Sequence, residues 1–228
     1  MKKVKIVSCT QQEDYKKTTL YKSLQRIQST TEVYFDDIYF YTENKESLSK
    51  RYNQYLENNK DKDVIVVFVH DDVCIEDGLV VTKLRQYHEQ YDIIGVAGGV
   101  NLQIKAPALW HIMCGGFGPN LRGFAGHYIE NTNQSFITNF GPTPARVAVI
   151  DGLFMSVNAE TTSKTGWKFN ENYSFHHYDI ASCLDANTKK LKIGVVPIWV
   201  THHSHGLREY NSTFTTSQET FLKEYKSY

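Results

Sequence analysis

The sequence predicts an α/β domain whose central sheet is mostly parallel and flanked by helices. Two observations carry this expectation. β-rich and helical runs alternate from Lys5 to Ala97, and a β-α-β-α-β-α-β order builds a parallel sheet through right-handed crossovers. Val64–Val69 is apolar throughout, as a strand buried on both faces requires.

The elements follow in order. Lys5–Ser8 reads as the first strand, ended by Cys9-Thr10-Gln11. Residues 14–27 place Tyr15, Leu20, Leu24 and Ile27 at near-helical spacing. Glu32–Phe35 and Ile38–Tyr41 are β-rich and aromatic, a second strand and its continuation. Ser47–Asn58 reads as a helix with Leu48, Tyr52, Tyr55 and Leu56 on one side. Beyond Val64–Val69, Leu79–Tyr91 reads as a helix and Asp92–Ala97 as a strand. The stretch from Gly98 to about Pro144 is rich in Gly, Asn and aromatics without sustained periodicity. It is too long for a simple loop, so short strands and a binding surface are expected there. β character returns at Ala145–Val157, and residues 179–190 look helical. Lys192–Thr201 reads as a last strand, with Pro197 marking an edge or a bulge. The domain is expected over residues 1–206, and residues 207–228 as a polar tail, partly helical or mobile.

Composition narrows the function classes. Lys plus Arg balances Asp plus Glu at 25 each, so no global field favours nucleic acid or an anionic membrane. No apolar run is long enough for a transmembrane helix, so stable membrane insertion is not expected. Met1-Lys2-Lys3 leads into a strand and not into a signal-peptide core, so the cytoplasm is the expected compartment. Cys9, Cys74, Cys114 and Cys183 form no CxxC pair, which argues against a zinc knuckle and for thiols acting as small apolar residues.

Polar clusters punctuate the strand ends. Ser8-Cys9-Thr10 follows the first strand, where hydroxyls or backbone amides can meet a nucleotide or simply cap a helix. His70-Asp71-Asp72 follows the apolar strand, at the carboxyl edge where ligands of such sheets bind. Two carboxylates there suit a divalent cation held against a diphosphate, and equally suit a solvated turn. Asp151 interrupts the apolar runs Val147–Ile150 and Leu153–Met155, a costly place for an acid without a task. Five of the nine histidines fall in His176-His177-Tyr178-Asp179 and His202-His203-Ser204-His205, a composition suited to metal ligation or proton transfer. Alternation along a strand puts His203 and His205 on one face and His202 on the other.

Taken in order, these residues resemble a GT-A (Rossmann-like) glycosyltransferase of the family-2-like group of small bacterial and viral nucleotide-sugar transferases. The matching residues are the apolar strand with His70-Asp71-Asp72-Val73, Gly95-Val96-Ala97-Gly98, Asp151-Gly152-Leu153-Phe154, Phe175-His176-His177-Tyr178-Asp179 with Cys183-Leu184, and Val195-Val196-Pro197 leading to His202–Gly206. The resemblance covers residues 4–206. It implies that Asp71-Asp72 stands where an Asp-x-Asp element binds metal and donor diphosphate, with His70 in place of the first carboxylate. Asp72 is then the direct metal ligand, with His203 or His205 as the C-terminal ligand, and Asp71 touches ribose or sugar. It also implies nucleoside contacts from Ser8, Thr10, Asn44 and Asn53, a donor-sugar contact from Asp151, and Asp179 as catalytic base. The implied cofactor is Mn²⁺ or Mg²⁺, and the implied donor a UDP-linked hexose, UDP-glucose or UDP-galactose. The acceptor is a glycan or another hydroxyl; nucleic acid is not expected.

Two alternatives stand beside this reading. A nucleotidyltransferase shares the nucleotide-binding half of such folds but wants a Gly-rich, basic loop after the first strand, where Ser8–Glu13 has neither. A catalytically inert glycan- or nucleotide-binding module accounts for the aromatic, Gly-rich middle, though less well for Asp179 and the terminal histidines. Trp110, His111 and Met113 lie in the segment expected on the acceptor side.

Overall fold

The computed structural model describes residues 1–32, 34–60, 62–203, 210–226 and 228. In chain order its elements are β1 (Lys3–Cys9), α1 (Thr19–Thr30), β2 (Asp37–Tyr41), α2 (Leu48–Glu57), β3 (Val64–Val69), β4 (Val73–Ile75), α3 (Val80–Tyr87), β5 (Ile93–Gly95), β6 (Ala97–Gly99) and α4 (Trp110–Met113). They continue with β7 (Leu121–Ile129), β8 (Gln134–Gly141), β9 (Ala145–Arg146), β10 (Val149–Ile150), β11 (Phe154–Asn158), α5 (Ala159–Thr165), α6 (Tyr178–Thr188), β12 (Ile193–Val195), β13 (Val200–His202) and α7 (Ser212–Glu224).

The larger sheet runs β2-β1-β3-β11-β5-β12-β9. β1, β2, β3, β5 and β12 share one direction, while β11 and β9 oppose them. The expected mostly parallel sheet is therefore present, with antiparallel β11 inserted between β3 and β5 and antiparallel β9 at the edge. Strand alternation explains why β3 reads as purely apolar. Ile65, Val67 and Val69 enter a core closed by Leu20, Leu24 and Ile27 of α1 and by Val80, Val81 and Leu84 of α3. Val64, Val66 and Phe68 enter the opposite core, closed by Tyr52 and Leu56 of α2, Leu184 of α6 and Phe221 of α7.

The aperiodic middle of the chain builds much of a second sheet, β10-β6-β7-β13-β4, with β8 added to β7 as a long hairpin. Gly123 shifts the register of that hairpin and adopts φ +100°, and a Cβ there would lie 2.0 Å from the Val96 carbonyl oxygen, so only glycine fits.

Several boundaries differ from the sequence expectation. The strand expected over Lys192–Thr201 is two strands in two different sheets, β12 and β13, with Pro197 in the gap between them. A residue without an N–H breaks the ladder there and lets the chain change sheets. No strand forms at Glu32–Phe35 among the described residues; Asp36 instead caps the edge of β1, its carboxylate accepting from the Val4 N–H at 2.8 Å. The first helix starts at Thr19, after a short turn of 3₁₀ helix at Tyr15–Lys17, because the Thr18 hydroxyl caps it.

In the expected tail region, α7 is packed firmly. Phe214 and Phe221 are buried, the Tyr173 hydroxyl donates to Glu224 at 2.7 Å, and the Tyr225 hydroxyl donates to Asp185 at 2.9 Å. Phe221→Ala is expected to cost about 3–5 kcal/mol of stability, read as a lowered urea midpoint at unchanged slope.

Candidate active site

The site grows from the turn that ends β3. Four backbone hydrogen bonds fix this turn. The His70 N–H donates to the Leu153 carbonyl at 3.1 Å, and the Val73 N–H to the His70 carbonyl at 3.2 Å. The Asp71 carbonyl accepts from Leu20 at the start of α1 at 3.0 Å, and the Asp72 carbonyl accepts from His203 at 2.9 Å. Antiparallel pairing of β4 with β13 sets His202 opposite Val73, next to Asp72.

The result is a cluster of His70, Asp72 and His202 whose candidate ligand atoms all lie within 4.8 Å of one another. His202 Nε2 stands 3.3 Å from Asp72 Oδ1, an ion pair when the ring is protonated; burial pushes the His202 pKa down, but Asp72 outweighs it and raises it. A buried carboxylate oxygen needs a positive or donating neighbour, and either the His202 ring or a bound cation can meet that need here. Burial alone pushes the Asp72 carboxyl up, but His202 and then His70 outweigh it and hold it below the ordinary carboxylate range.

His70 is oriented from behind. The Tyr178 hydroxyl donates to the Gly152 carbonyl at 2.7 Å, so at 3.0 Å it accepts from His70 Nε2. That assigns the proton of the neutral ring to Nε2 and leaves the Nδ1 lone pair free to ligate, the arrangement that outer hydrogen bonds impose on metal-binding histidines. Burial lowers the His70 pKa, against the opposing pull of Asp72, and keeps the ring neutral. The donor set of two imidazoles and one carboxylate is compatible with a divalent metal ion.

The Gly152 peptide links this cluster to a carboxylate. Its carbonyl takes the Tyr178 hydroxyl, and its N–H donates to Asp179 Oδ2 at 2.8 Å. Asp179 Oδ1 accepts from the Ile180 N–H at 2.8 Å, in the first turn of α6. Burial, joined by the charge of Asp151, raises the Asp179 pKa to about 7, against the backbone donors that lower it. Asp151 itself accepts from Trp110 Nε1 at 2.8 Å and from the Leu153 N–H at 3.0 Å. Trp110 and His111 thus come from the expected acceptor segment to the carboxylate pair.

Gly152 tolerates no side chain. A Cβ there would lie 2.6 Å from the Tyr178 hydroxyl and 3.0 Å from the Asp179 Cβ. Gly152→Ala is expected to displace both and to lower turnover about 100-fold, the cost of a misplacement near 1 Å, while far-UV circular dichroism stays that of the wild type.

Beside the cluster lies a cleft of about 940 Å³ at the carboxyl ends of β1 and β3. Thr10, Asn44, Asp71, Asp72 and His203 line it together. The Thr10 hydroxyl bonds Asp71, whose pKa is raised by burial and by Asp72 against that bond. Asn44 contributes to the rim while its own amide is held by Glu46 and Arg51.

Other residues expected at the site are placed elsewhere. Ser8 is wholly buried within β1 and does not line the cleft, because the strand runs one residue further than read, to Cys9. Asn53 faces a different groove, its amide and carbonyl engaged by Phe169 and Glu171. His203 borders the cleft but packs its ring on Tyr128 at 4.8 Å, and His202 is the histidine beside Asp72. His205 lies outside the described residues. The rich cluster at His176–Asp179 divides in two: His177 bonds the Ser217 hydroxyl at 2.8 Å and stacks on Phe221, so it anchors α7, while Tyr178 and Asp179 serve the site. His70 and His202 as co-ligands were not assigned from sequence, because no local pattern announces the short pairing of β4 with β13 that joins them.

The glycosyltransferase-like family model matches residues 5–225 of the chain. The protein belongs to this family. This member of the glycosyltransferase-like family has the α/β fold, with a mostly parallel larger sheet flanked by helices, that its sequence predicts. No curated protein matches it. Among solved structures it is similar to the crystal structure of A197 from STIV, at 12% identity and TM-score 0.49, covering 86% of this chain and 82% of the other. Among the described residues no helix is long and apolar enough to cross a membrane.

Proposed function

We propose that the protein is a metal-dependent, inverting glycosyltransferase that moves a hexose from a nucleotide-diphosphate sugar to an acceptor hydroxyl, with UDP-glucose and UDP-galactose as the first donors to test. The observation that carries this reading is the charge of the cleft. Among the described residues Asp71, Asp72 and Glu46 line it against the single cation Lys45, a balance that favours a diphosphate entering with a divalent cation beside it. A divalent ion held by His70, Asp72 and His202 would supply that charge and stabilise the leaving diphosphate.

The residues of the chain divide the remaining work. Thr10 and Asn44 border the space for the nucleoside, and Asp71 the space for ribose or sugar. Asp151 keeps unused lone pairs on oxygens held by Trp110 and Leu153, and these can accept from a sugar hydroxyl. Asp179 takes the acceptor proton: as the acceptor oxygen bonds to the anomeric carbon and the bond to the diphosphate breaks on the opposite face, the proton passes to its carboxylate. A pKa of about 7 suits that task near neutral pH. One base on the attacking side gives inversion in a single displacement.

Calorimetric titration with UDP tests the donor half. UDP is expected to bind in the presence of Mn²⁺ and at least tenfold more weakly after chelation. Equal affinity in both conditions would refute the metal-diphosphate arrangement.

A further inference from the structure

A second groove, about 390 Å³, opens on the far side of His203. It is built from β7, β8 and the segment entering β13, with His127, Tyr128, Phe136, Ile137, Trp199 and Thr201 in its walls. Its apolar side chains stay in contact with solvent: Phe136 is 49% exposed, Ile137 60% and Trp199 46%. Contiguous exposed apolar groups of this kind mark a binding surface. Several rings are held in place: Phe136 stacks on His127 at 4.8 Å with planes 21° apart, and Tyr128 packs on His203 at 4.8 Å. Trp110 and Trp167 are buried, so Trp199 alone of the three tryptophans presents its ring at the surface.

We propose that this groove is the acceptor subsite and that it takes a neutral oligosaccharide; the proposal rests on the glycosyl-transfer reading above and names its acceptor. Position is the first argument. His203 is a wall common to the groove and to the donor cleft, so a sugar chain lying along β7 and β8 directs one end into the site. His127, in the same groove, is paired with His202 across β7 and β13.

Chemistry is the second argument. A pyranose ring offers an apolar C–H face and a rim of hydroxyls. The groove offers aromatic faces beside the hydroxyls of Ser135 and Thr201. Among the described residues its lining holds no Lys or Arg, and the carboxylate there, Glu76, is paired with Arg26 at 2.6 Å. A phosphate-bearing acceptor, nucleic acid or anionic lipid, would find no countercharge among these described residues.

The test uses a printed array of neutral oligosaccharides with the full-length wild type, Trp199→Ala and Phe136→Ala. UDP titration with Mn²⁺ and sedimentation of the same three proteins run alongside. The expected result is wild-type retention on a defined set of glycans, a loss of at least tenfold in each variant, and UDP affinity changed less than twofold. The exposure of both side chains makes the variants fold normally, which an unchanged melting temperature verifies. The proposal is overturned if the wild type is retained on no glycan, or if both variants are retained as well as the wild type. It is also overturned if the wild type is a dimer that Trp199→Ala dissociates without any glycan retention, which would give the face to a second copy of the chain. Glycan retention with no UDP binding would leave the groove as a glycan site and remove the donor reading instead.

Discussion

Asp179→Asn is expected to bind the nucleotide-sugar donor as tightly as the wild type and to lose transfer by about 10²–10⁴-fold, the usual contribution of a positioned general base. The amide keeps the shape of the carboxylate but cannot take a proton, and it can accept from only one of the Gly152 and Ile180 N–H groups. The lost hydrogen bond costs about 1 kcal/mol, too little to unfold the domain. The pH profile gives an independent readout. With a pKa of about 7, the carboxyl is protonated and idle in acid, so the wild-type rate should rise with pH through about 7 and then level. Asp179→Asn should flatten that rise.

Stability moves the opposite way. The ordinary value of 3.8 is raised to about 7 in the fold, so between about 4 and 7 the folded state holds a proton that the unfolded chain releases. The contribution of Asp179 to stability therefore falls as pH rises across that window. Urea midpoints of wild type and variant, measured from pH 4 to pH 8, should converge in their pH dependence elsewhere and diverge there.

Removing the carboxylate of the cation cluster is the second large effect. Asp72→Ala is expected to weaken Mn²⁺ binding at least about 100-fold, since it deletes the one anionic ligand beside the imidazoles of His70 and His202. Mn²⁺ binding can be followed by paramagnetic resonance without substrate, so this result does not depend on turnover. Donor turnover should fall in parallel, and UDP affinity should become indifferent to Mn²⁺. Tyr178→Phe separates orientation from ligation: it keeps the three ligands but removes the hydroxyl that accepts from His70 Nε2. A loss of about 10–100-fold in Mn²⁺ affinity is expected, as for other outer-sphere partners of metal ligands. An unchanged affinity in Tyr178→Phe would dismiss the tautomer argument while leaving Asp72 untouched.

How much of this was legible in the sequence follows from the range of the interactions concerned. β3 could be read outright, because a strand buried on both faces must be apolar at every position. The turn after it could be placed at the ligand edge of the sheet by the same reasoning. Asp151 stood out because an acid inside apolar runs needs a cause, whereas Asp179 was marked by its histidine-rich cluster and the family resemblance; the structure sets the two beside one another. The C-terminal histidines were harder. Strand alternation divides His202 from His203 but does not say which side meets Asp72, since that depends on β13 pairing with the three-residue strand β4. Asn53 misled because a polar residue on the helix before the acidic strand looks the same whether it reaches a ligand or ties down the loop at Phe169–Glu171. The packing of α7 was hidden for a related reason: its few apolar residues are spaced widely among threonines and serines, yet Phe214 and Phe221 suffice to bury one face.

The most direct test of the account is nucleoside-diphosphate release from a panel of nucleotide sugars, measured with Mn²⁺, with Mg²⁺ and with chelator, for the wild type, Asp72→Ala and Asp179→Asn. The account predicts release from at least one donor, UDP-glucose or UDP-galactose foremost, abolished by chelator and by either substitution. Release that survives chelation, or no release from any donor with either metal, would contradict it.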